Sequence, residues 1–224
     1  MQRLRLKFRR GDEVKYISHL DLMRLWDRAL RRAGIPLAYS EGFTPHPRIS
    51  LGSPLPIGVT SEAELMDINL SRAVSPHYLI RTVGGQLPGG IDLVEVQQMP
   101  LTSPSLQSQL RYAEYHVVVE TSRTEEEMQT SIVSLLQAES LPWQHMRDTG
   151  PRHYDLRPLV KHIWLMGREG SQFKLGMRLR CDPQGTGRPE QVAAALGLPE
   201  RPISIHRARL ILAGEERGGN GRST

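Results

Sequence analysis

The chain has 224 residues, a single cysteine (Cys181) and a formal charge of +5, from 29 Lys and Arg against 24 Asp and Glu. That length suits one large domain or two small ones, and it can bury a core without disulfide or metal support. One cysteine excludes a disulfide framework, a cysteine-based zinc site and a cysteine-held iron–sulfur cluster. No apolar run nears the roughly 18 residues of a membrane span, and the opening MQRLRLKFRR lacks the apolar core of a signal peptide, so a cytoplasmic protein with no membrane partner is expected. Charge is uneven, since residues 1–50 hold 11 Lys and Arg against 5 Asp and Glu. The basic residues are 25 Arg and 4 Lys, and guanidinium forks suit both phosphate and base stacking.

Residues 3–9 alternate strictly, which sets Leu4, Leu6 and Phe8 on one face of a half-buried strand. Ser18, three residues before Asp21, can cap a helix that Gly34 and Pro36 stop. Its apolar stripe reads Leu20, Met23, Trp26, Leu30 and Ala33, with Arg24, Arg28, Arg31 and Arg32 opposite. A Gly- and Pro-containing loop, 42–47, leads to a strand near 48–53, and a further strand over 62–70 puts Glu64, Met66, Ile68 and Leu70 on one face. A helix over 75–87 and a strand over 91–97 complete a β-α-β-β-α-β order, the ferredoxin-like split βαβ.

Residues 99–110, rich in Pro, Ser and Gln, read as a linker. The order then repeats. A strand over 112–120 precedes a helix capped by Thr124 with Glu127, carrying Met128, Ile132, Leu135 and Leu136. Strands over 159–166 and 172–181 follow, joined by a turn at 168–170; Pro189 opens a helix that Gly197 closes, and 203–212 is the last strand. Residues 141–158 carry no clear pattern, and 214–224 read as a disordered tail. The expected fold class is α+β, with two tandem ferredoxin-like halves at 1–98 and 111–213, antiparallel sheets and helices on one face. A single larger α+β domain is the alternative.

Most of the candidate chemistry lies in residues 16–59. Pro45 and Pro47 flank His46, which forces extended backbone and holds Phe43, His46 and Arg48 outward. A ring, an imidazole and a guanidinium together suit an RNA strand. The alternative is a rigid loop whose Phe43 plugs the core and whose Arg48 caps a strand. Arg24, Arg28, Arg31 and Arg32 can clamp phosphates, although Asp21–Arg24 and Asp27–Arg31 are helix-spaced pairs that neutralise part of that face. His19 and His46 are candidates for an acid–base pair cleaving RNA by 2′-hydroxyl attack, or structural residues.

In the second half, Lys174, Arg178 and Arg180 alternate with Phe173, Leu175, Met177, Leu179 and Cys181, one face basic and the other apolar. Arg207 and Arg209 share a face in the same way. Gly185, Thr186, Gly187 and Arg188 form a glycine turn before a helix, a candidate anion cradle or a plain loop. Asp155 and Arg157 flank Leu156 as an internal ion pair or a ligand contact. No Cys-x-x-x-Cys-x-x-Cys, His-Glu-x-x-His, Gly-x-Ser-x-Gly or paired-carboxylate motif is present, so no cofactor and no metal is expected.

The runs at 16–21, 28–34, 40–47 and 55–59, with Tyr154–Pro158 and Gly185–Pro189, resemble the radical-SAM-linked protein family of bacteria over about residues 2–212. Asn is common in that family where Thr44 stands here. The resemblance implies a radical SAM enzyme as partner, encoded beside or fused to such proteins, often near genes for ribosomal proteins and a ribonuclease. The doubled element order also resembles, more loosely, RAMP-type RNA-binding proteins, whose glycine-rich loop precedes the final strand; here the Gly185–Gly187 turn precedes the last helix.

The leading expectation is an accessory RNA-binding protein that positions an RNA or ribosomal substrate for a radical SAM enzyme, with ribosomal and transfer RNA the candidates. Arg28, Arg31, Arg32, Phe43, His46 and Arg48 would bind it, supported by Lys174, Arg178 and Arg180, and no residue of this chain would be catalytic. One alternative is a metal-independent endoribonuclease using His19 or His46. Another is a docking module that meets the radical SAM enzyme through the 40–59 loop.

Overall fold

The computed structural model describes residues 1–147, 150–199 and 201–215, so nearly all of the expected tail at 214–224 lies outside the described residues. The chain divides into two compact units, Met1–Leu110 and Arg111–Thr224. Among the described residues no helix is long and apolar enough to cross a membrane.

The first unit contains β1 (Gln2–Arg10), α1 (His19–Arg32), β2 (Ile49–Leu51), β3 (Thr60–Leu70), α2 (Pro76–Gly84), β4 (Ile91–Met99) and a short α3 (Leu106–Gln109). Its strands lie in the order β4-β1-β3-β2, with every neighbouring pair antiparallel. This is an α+β arrangement, broadly ferredoxin-like. Leu4, Leu6 and Phe8 of β1 and Met66, Ile68 and Leu70 of β3 form one apolar face, covered by Trp26 and Leu30 of α1 and by Leu79 and Val83 of α2. Phe8 meets Trp26 edge to face at 4.9 Å between centroids, a geometry worth about 0.5–1.5 kcal/mol beyond the area buried.

Ser18 caps α1 as its spacing predicts: its Oγ accepts from the Asp21 N–H at 3.1 Å and donates to the Asp21 carboxylate at 2.7 Å. The buried stripe is turned from the expected one. Leu22, Trp26, Ala29 and Leu30 are buried, whereas Leu20 is exposed.

The first half of β1 is also buried on its second face, at Arg3 and Arg5, against the half-buried expectation. Arg5 stands opposite Asp67 in the β1–β3 register. The Asp67 carboxylate accepts from Arg5 Nε at 2.8 Å and from Arg3 Nε at 3.0 Å and Nη2 at 2.5 Å. Arg3 continues outward, donating to the carbonyls of Ser103 at 2.7 Å and Pro104 at 2.8 Å. The segment expected as a linker therefore docks on the first unit, with Leu106 buried beside Gly52 and Gln107 donating to the Leu51 carbonyl.

The second unit contains β5 (Leu110–Glu120), α4 (Glu125–Gln137), β6 (Pro142–Arg147), β7 (Gly150–Asp155), β8 (Val160–Glu169), β9 (Gln172–Asp182), β10 (Gly185–Thr186), α5 (Pro189–Ala195) and β11 (Ser204–Leu212). β9 pairs antiparallel with β5 and β8 and, at its end, with β10, while β5 neighbours β11. Thr124 and Glu127 form the reciprocal cap of α4, at 3.2 Å and 2.7 Å. Met128, Ile132 and Leu135 of α4 are buried, as are Phe173, Leu175, Met177 and Leu179 of β9.

The unpatterned stretch 141–158 contains a separate hairpin, β6–β7. Its last residue and the turn that follows hold it in place. Asp155 Oδ1 accepts from the N–H groups of Leu141 at 2.8 Å and Arg157 at 2.9 Å. These bonds hold its carboxyl below the usual carboxylate range. Arg157 donates to the carbonyls of Leu136, Ala138 and Val160, at 2.6, 3.1 and 2.8 Å. The expected ion pair is thus replaced by two separate sets of backbone bonds: Asp155 closes the hairpin, and Arg157 satisfies orphan carbonyls at the end of α4.

Removing the Asp67 carboxylate strands two buried guanidinium groups, so Asp67→Ala is expected to lower unfolding free energy by about 3–5 kcal/mol in urea titrations; a loss under about 1 kcal/mol contradicts this role. Asp155 has a depressed pKa in the fold, so its stabilisation is complete above the unfolded value near 4 and is lost as pH falls through the lower folded value. Asp155→Asn should therefore melt below wild type at pH 7, with the gap closing toward pH 2; a gap independent of pH contradicts it.

Candidate nucleic-acid interface

The edge of β3 suspends the loop singled out in the sequence. Leu37 bridges to Leu70, and Tyr39 to Pro47. Arg48 N–H donates to the Ala38 carbonyl at 2.8 Å, and Asn69 N–H to the Arg48 carbonyl at 3.0 Å. Higher up, Ser40 N–H donates to the His46 carbonyl at 2.8 Å, and His46 N–H donates back to Ser40 Oγ at 3.0 Å. The stem is a laddered neck. Gly42, at φ 120°, turns the tip in a conformation that L side chains rarely adopt.

Phe43 stands at that tip with a relative exposure of 110%. A phenyl ring left in water forgoes about 1.5–3 kcal/mol of burial, so it does not plug the core. His46 and Arg48 are exposed on the same loop. Arg31 of α1 lies over the Tyr39 ring at 5.6 Å while its Nε donates to Asp27 at 2.8 Å, which joins the helix to the loop stem. Arg24 pairs with Asp21 at 3.3 Å. Hydrogen bonding from Ser18 lowers the Asp21 carboxyl, helped by Arg24. Arg28 and Arg32 are exposed and make no ion pair among the described residues. The structure thus brings Arg31, Phe43, His46 and Arg48 onto one braced feature, with Arg28 and Arg32 on the adjoining helix.

His19 is the first residue of α1 and exposed; among the described residues no hydrogen bond joins it to His46. Tyr16 and Leu20, which sequence reasoning gave no functional role, and Ile57, within the 40–59 loop expected to dock, are 71%, 65% and 64% exposed. Gly58 N–H donates to the Lys15 carbonyl at 2.8 Å, which brings the 56–58 turn beside Tyr16. The signal available was Leu20, which falls out of phase with Leu22, Trp26 and Ala29.

The basic residues of β9 are differently placed. Arg178 stands opposite Glu114 on β5 and grips it at 2.6 and 2.8 Å. Arg180 pairs with Asp182 at 2.7 Å and donates to Gln184. Lys174 is exposed and makes no ion pair among the described residues. Arg207 is fully buried, so it and Arg209, which is exposed, do not form a common solvent-facing pair.

The glycine turn already has an internal anion. Asp182 Oδ1 accepts from the N–H groups of Gln184 at 2.8 Å and Gly185 at 3.1 Å, and Gly187 N–H donates to the Arg180 carbonyl at 2.9 Å. Burial pushes the Asp182 carboxyl up, but Arg180 and these N–H groups outweigh it and leave it low. Arg188 precedes α5 without a side-chain cap. The N–H groups of Gly185 and Gly187 are therefore engaged within the fold. An open cleft of about 540 Å³ beside the hairpin is lined by Trp143, His153, Tyr154 and Asp155, among others. Among the described residues no group of three or more His, Cys, Asp or Glu could hold a metal ion.

No curated protein matches the chain. Three solved structures are similar at low identity: a Cbf5-Nop10-Gar1 complex (11% identical over 93% of this chain, TM-score 0.49), an archaeal box H/ACA sRNP Nop10-Cbf5 complex (10% over 92%, 0.47), and an H/ACA RNP bound to a substrate RNA containing 2′-deoxyuridine (13% over 93%, 0.47). The chain spans about half the length of the chains it resembles there, 46–48%. Its sequence matches one family profile over residues 3–189, and the chain belongs to that family, described as an uncharacterized protein conserved in bacteria (DUF2344).

Proposed function

We propose that this chain is a non-catalytic RNA-binding protein that works with a radical SAM enzyme and positions an RNA or ribosomal substrate for modification. The observation that carries the RNA reading is the fully exposed Phe43, held on a laddered loop beside exposed His46 and Arg48. A ring presented to water on a rigid neck is pre-organised to stack on an unpaired base. Arg28, Arg32 and Arg48 supply phosphate contacts, and Arg31 braces the loop through Tyr39. Lys174 can add a further phosphate contact, whereas Arg178 and Arg180 serve the fold. Reading each unit as a ferredoxin-like half, at 1–98 and 111–213, gives two halves that can share one RNA-handling task.

A second reading, a docking module for the radical SAM enzyme, draws on the exposed Tyr16, Leu20 and Ile57. Contiguous exposed apolar side chains commonly mark protein contacts. Ile57 lies within the 40–59 loop expected to dock, whereas Tyr16 and Leu20 lie outside it, and docking in this way requires no RNA contact.

Arg28, Arg32, Phe43, Leu20 and Ile57 are exposed, so substitutions there should leave stability within about 0.5 kcal/mol. The double variant Arg28→Ala/Arg32→Ala is expected to weaken single-stranded RNA binding and to reduce its log–log salt slope by about 1 to 1.5. Phe43→Ala should weaken binding by about 1–3 kcal/mol with the slope unchanged. Unchanged affinity and slope in both variants contradict the interface. For docking, Leu20→Asp/Ile57→Asp should abolish co-purification of the radical SAM protein in high salt, and an undiminished complex removes that patch.

A further inference from the structure

The outward face of β8, β9, β5 and β11 contains a row of rings that the loop-based reading does not use. Gly176 of β9 stands opposite Trp164 on β8 and opposite His116 on β5. A Cβ at Gly176 would lie 2.0 Å from the Trp164 indole, so the indole lies flat on bare backbone. His162 stacks on Trp164 with centroids 5.6 Å apart and planes 21° from parallel. On the other side, His116 and His206 of β11 are 6.2 Å apart. The row thus crosses four strands, on the face opposite the buried Phe173, Leu175, Met177 and Leu179.

A glycine inside a strand weakens it, and a flat tryptophan laid over it recovers packing. That packing explains why the indole lies flat. It does not explain why rings on β8, β5 and β11 continue across an open sheet face. Trp164, His116 and His206 are all partly exposed, and His162 is exposed. The charge around them suits an anion. Glu114 is held by Arg178 and Asp182 by Arg180, while Lys174, two residues along β9 from Gly176, is exposed and makes no ion pair among the described residues. Flat rings beside an uncommitted cation form a platform for successive bases of a single strand, because every base has a stackable face.

We infer that the β8–β9–β5–β11 face is a base-stacking platform for single-stranded RNA, centred on Trp164 over Gly176. The inference rests on the RNA reading above and deepens it by naming unpaired bases as the ligand.

The test uses the full chain and a fluorescently labelled single-stranded oligouridine, with an abasic oligonucleotide of the same length as comparator. Trp164→Ala is expected to lower oligouridine affinity about tenfold, leave the salt slope unchanged and leave abasic binding unchanged. Trp164→Phe, which keeps a ring and guards against a folding artefact, should retain most of the affinity. Wild-type oligouridine affinity in Trp164→Ala, with Arg28→Ala/Arg32→Ala still weakened, overturns the platform and leaves the loop reading standing. Equal losses in the Phe and Ala variants, or an equal loss on the abasic strand, also overturn stacking. No binding of oligouridine by the wild-type chain overturns both readings.

Discussion

A carboxylate held between two guanidinium groups sets the register on which the first unit depends. Asp67 sits opposite Arg5 and also accepts from Arg3. Because side chains alternate with period two, a slip of one residue between β1 and β3 would turn Asp67 toward Leu4, Leu6 and Phe8 and leave both arginines unpaired. With that register fixed, the far edge of β3 carries β2 and the Leu37 bridge, and these carry the neck of the Phe43 loop. The exposed ring is therefore built outward from a buried ion pair.

Arginine is a structural material throughout this chain. Arg10 donates to the carbonyls of Val14, Lys15 and Ile17, Arg123 to those of Leu196 and Gly197, and Arg157 to those of Leu136, Ala138 and Val160. Arg3 does the same at Ser103 and Pro104. A planar fork with several fixed donors can close two or three carbonyls at once, which a lysine point charge does less well. An arginine-rich composition is therefore weak support for nucleic-acid binding here. The useful distinction is between arginines engaged within the fold and exposed ones such as Arg28, Arg32 and Arg48.

Local signals were legible in the sequence. Ser18 and the Thr124–Glu127 pair predicted their helix starts, and the prolines around His46 predicted an outward loop, because each effect acts within a few residues. Signals from distant partners were not. Arg3 and Arg5 read as solvent-facing because alternation cannot reveal an acid 64 or 62 residues away. Arg178 and Glu114 are likewise 64 residues apart, so the basic stripe of β9 looked open when part of it is neutralised across the sheet. The β6–β7 hairpin carried no clear pattern, because Pro142, Gly150 and Pro151 interrupt any alternation. Nothing in the sequence marked Gly176, and only the structure shows the indole that fills the space beside it.

The central claim is that RNA meets the loop carrying Phe43. The most direct measurement is photocrosslinking of the intact chain to single-stranded RNA containing 4-thiouridine, with the crosslinked tryptic peptides identified by mass spectrometry. The account predicts crosslinks in the peptide spanning residues 33–48, on or beside Phe43. Crosslinks confined to other peptides, with that one unmodified at saturating RNA, would contradict it.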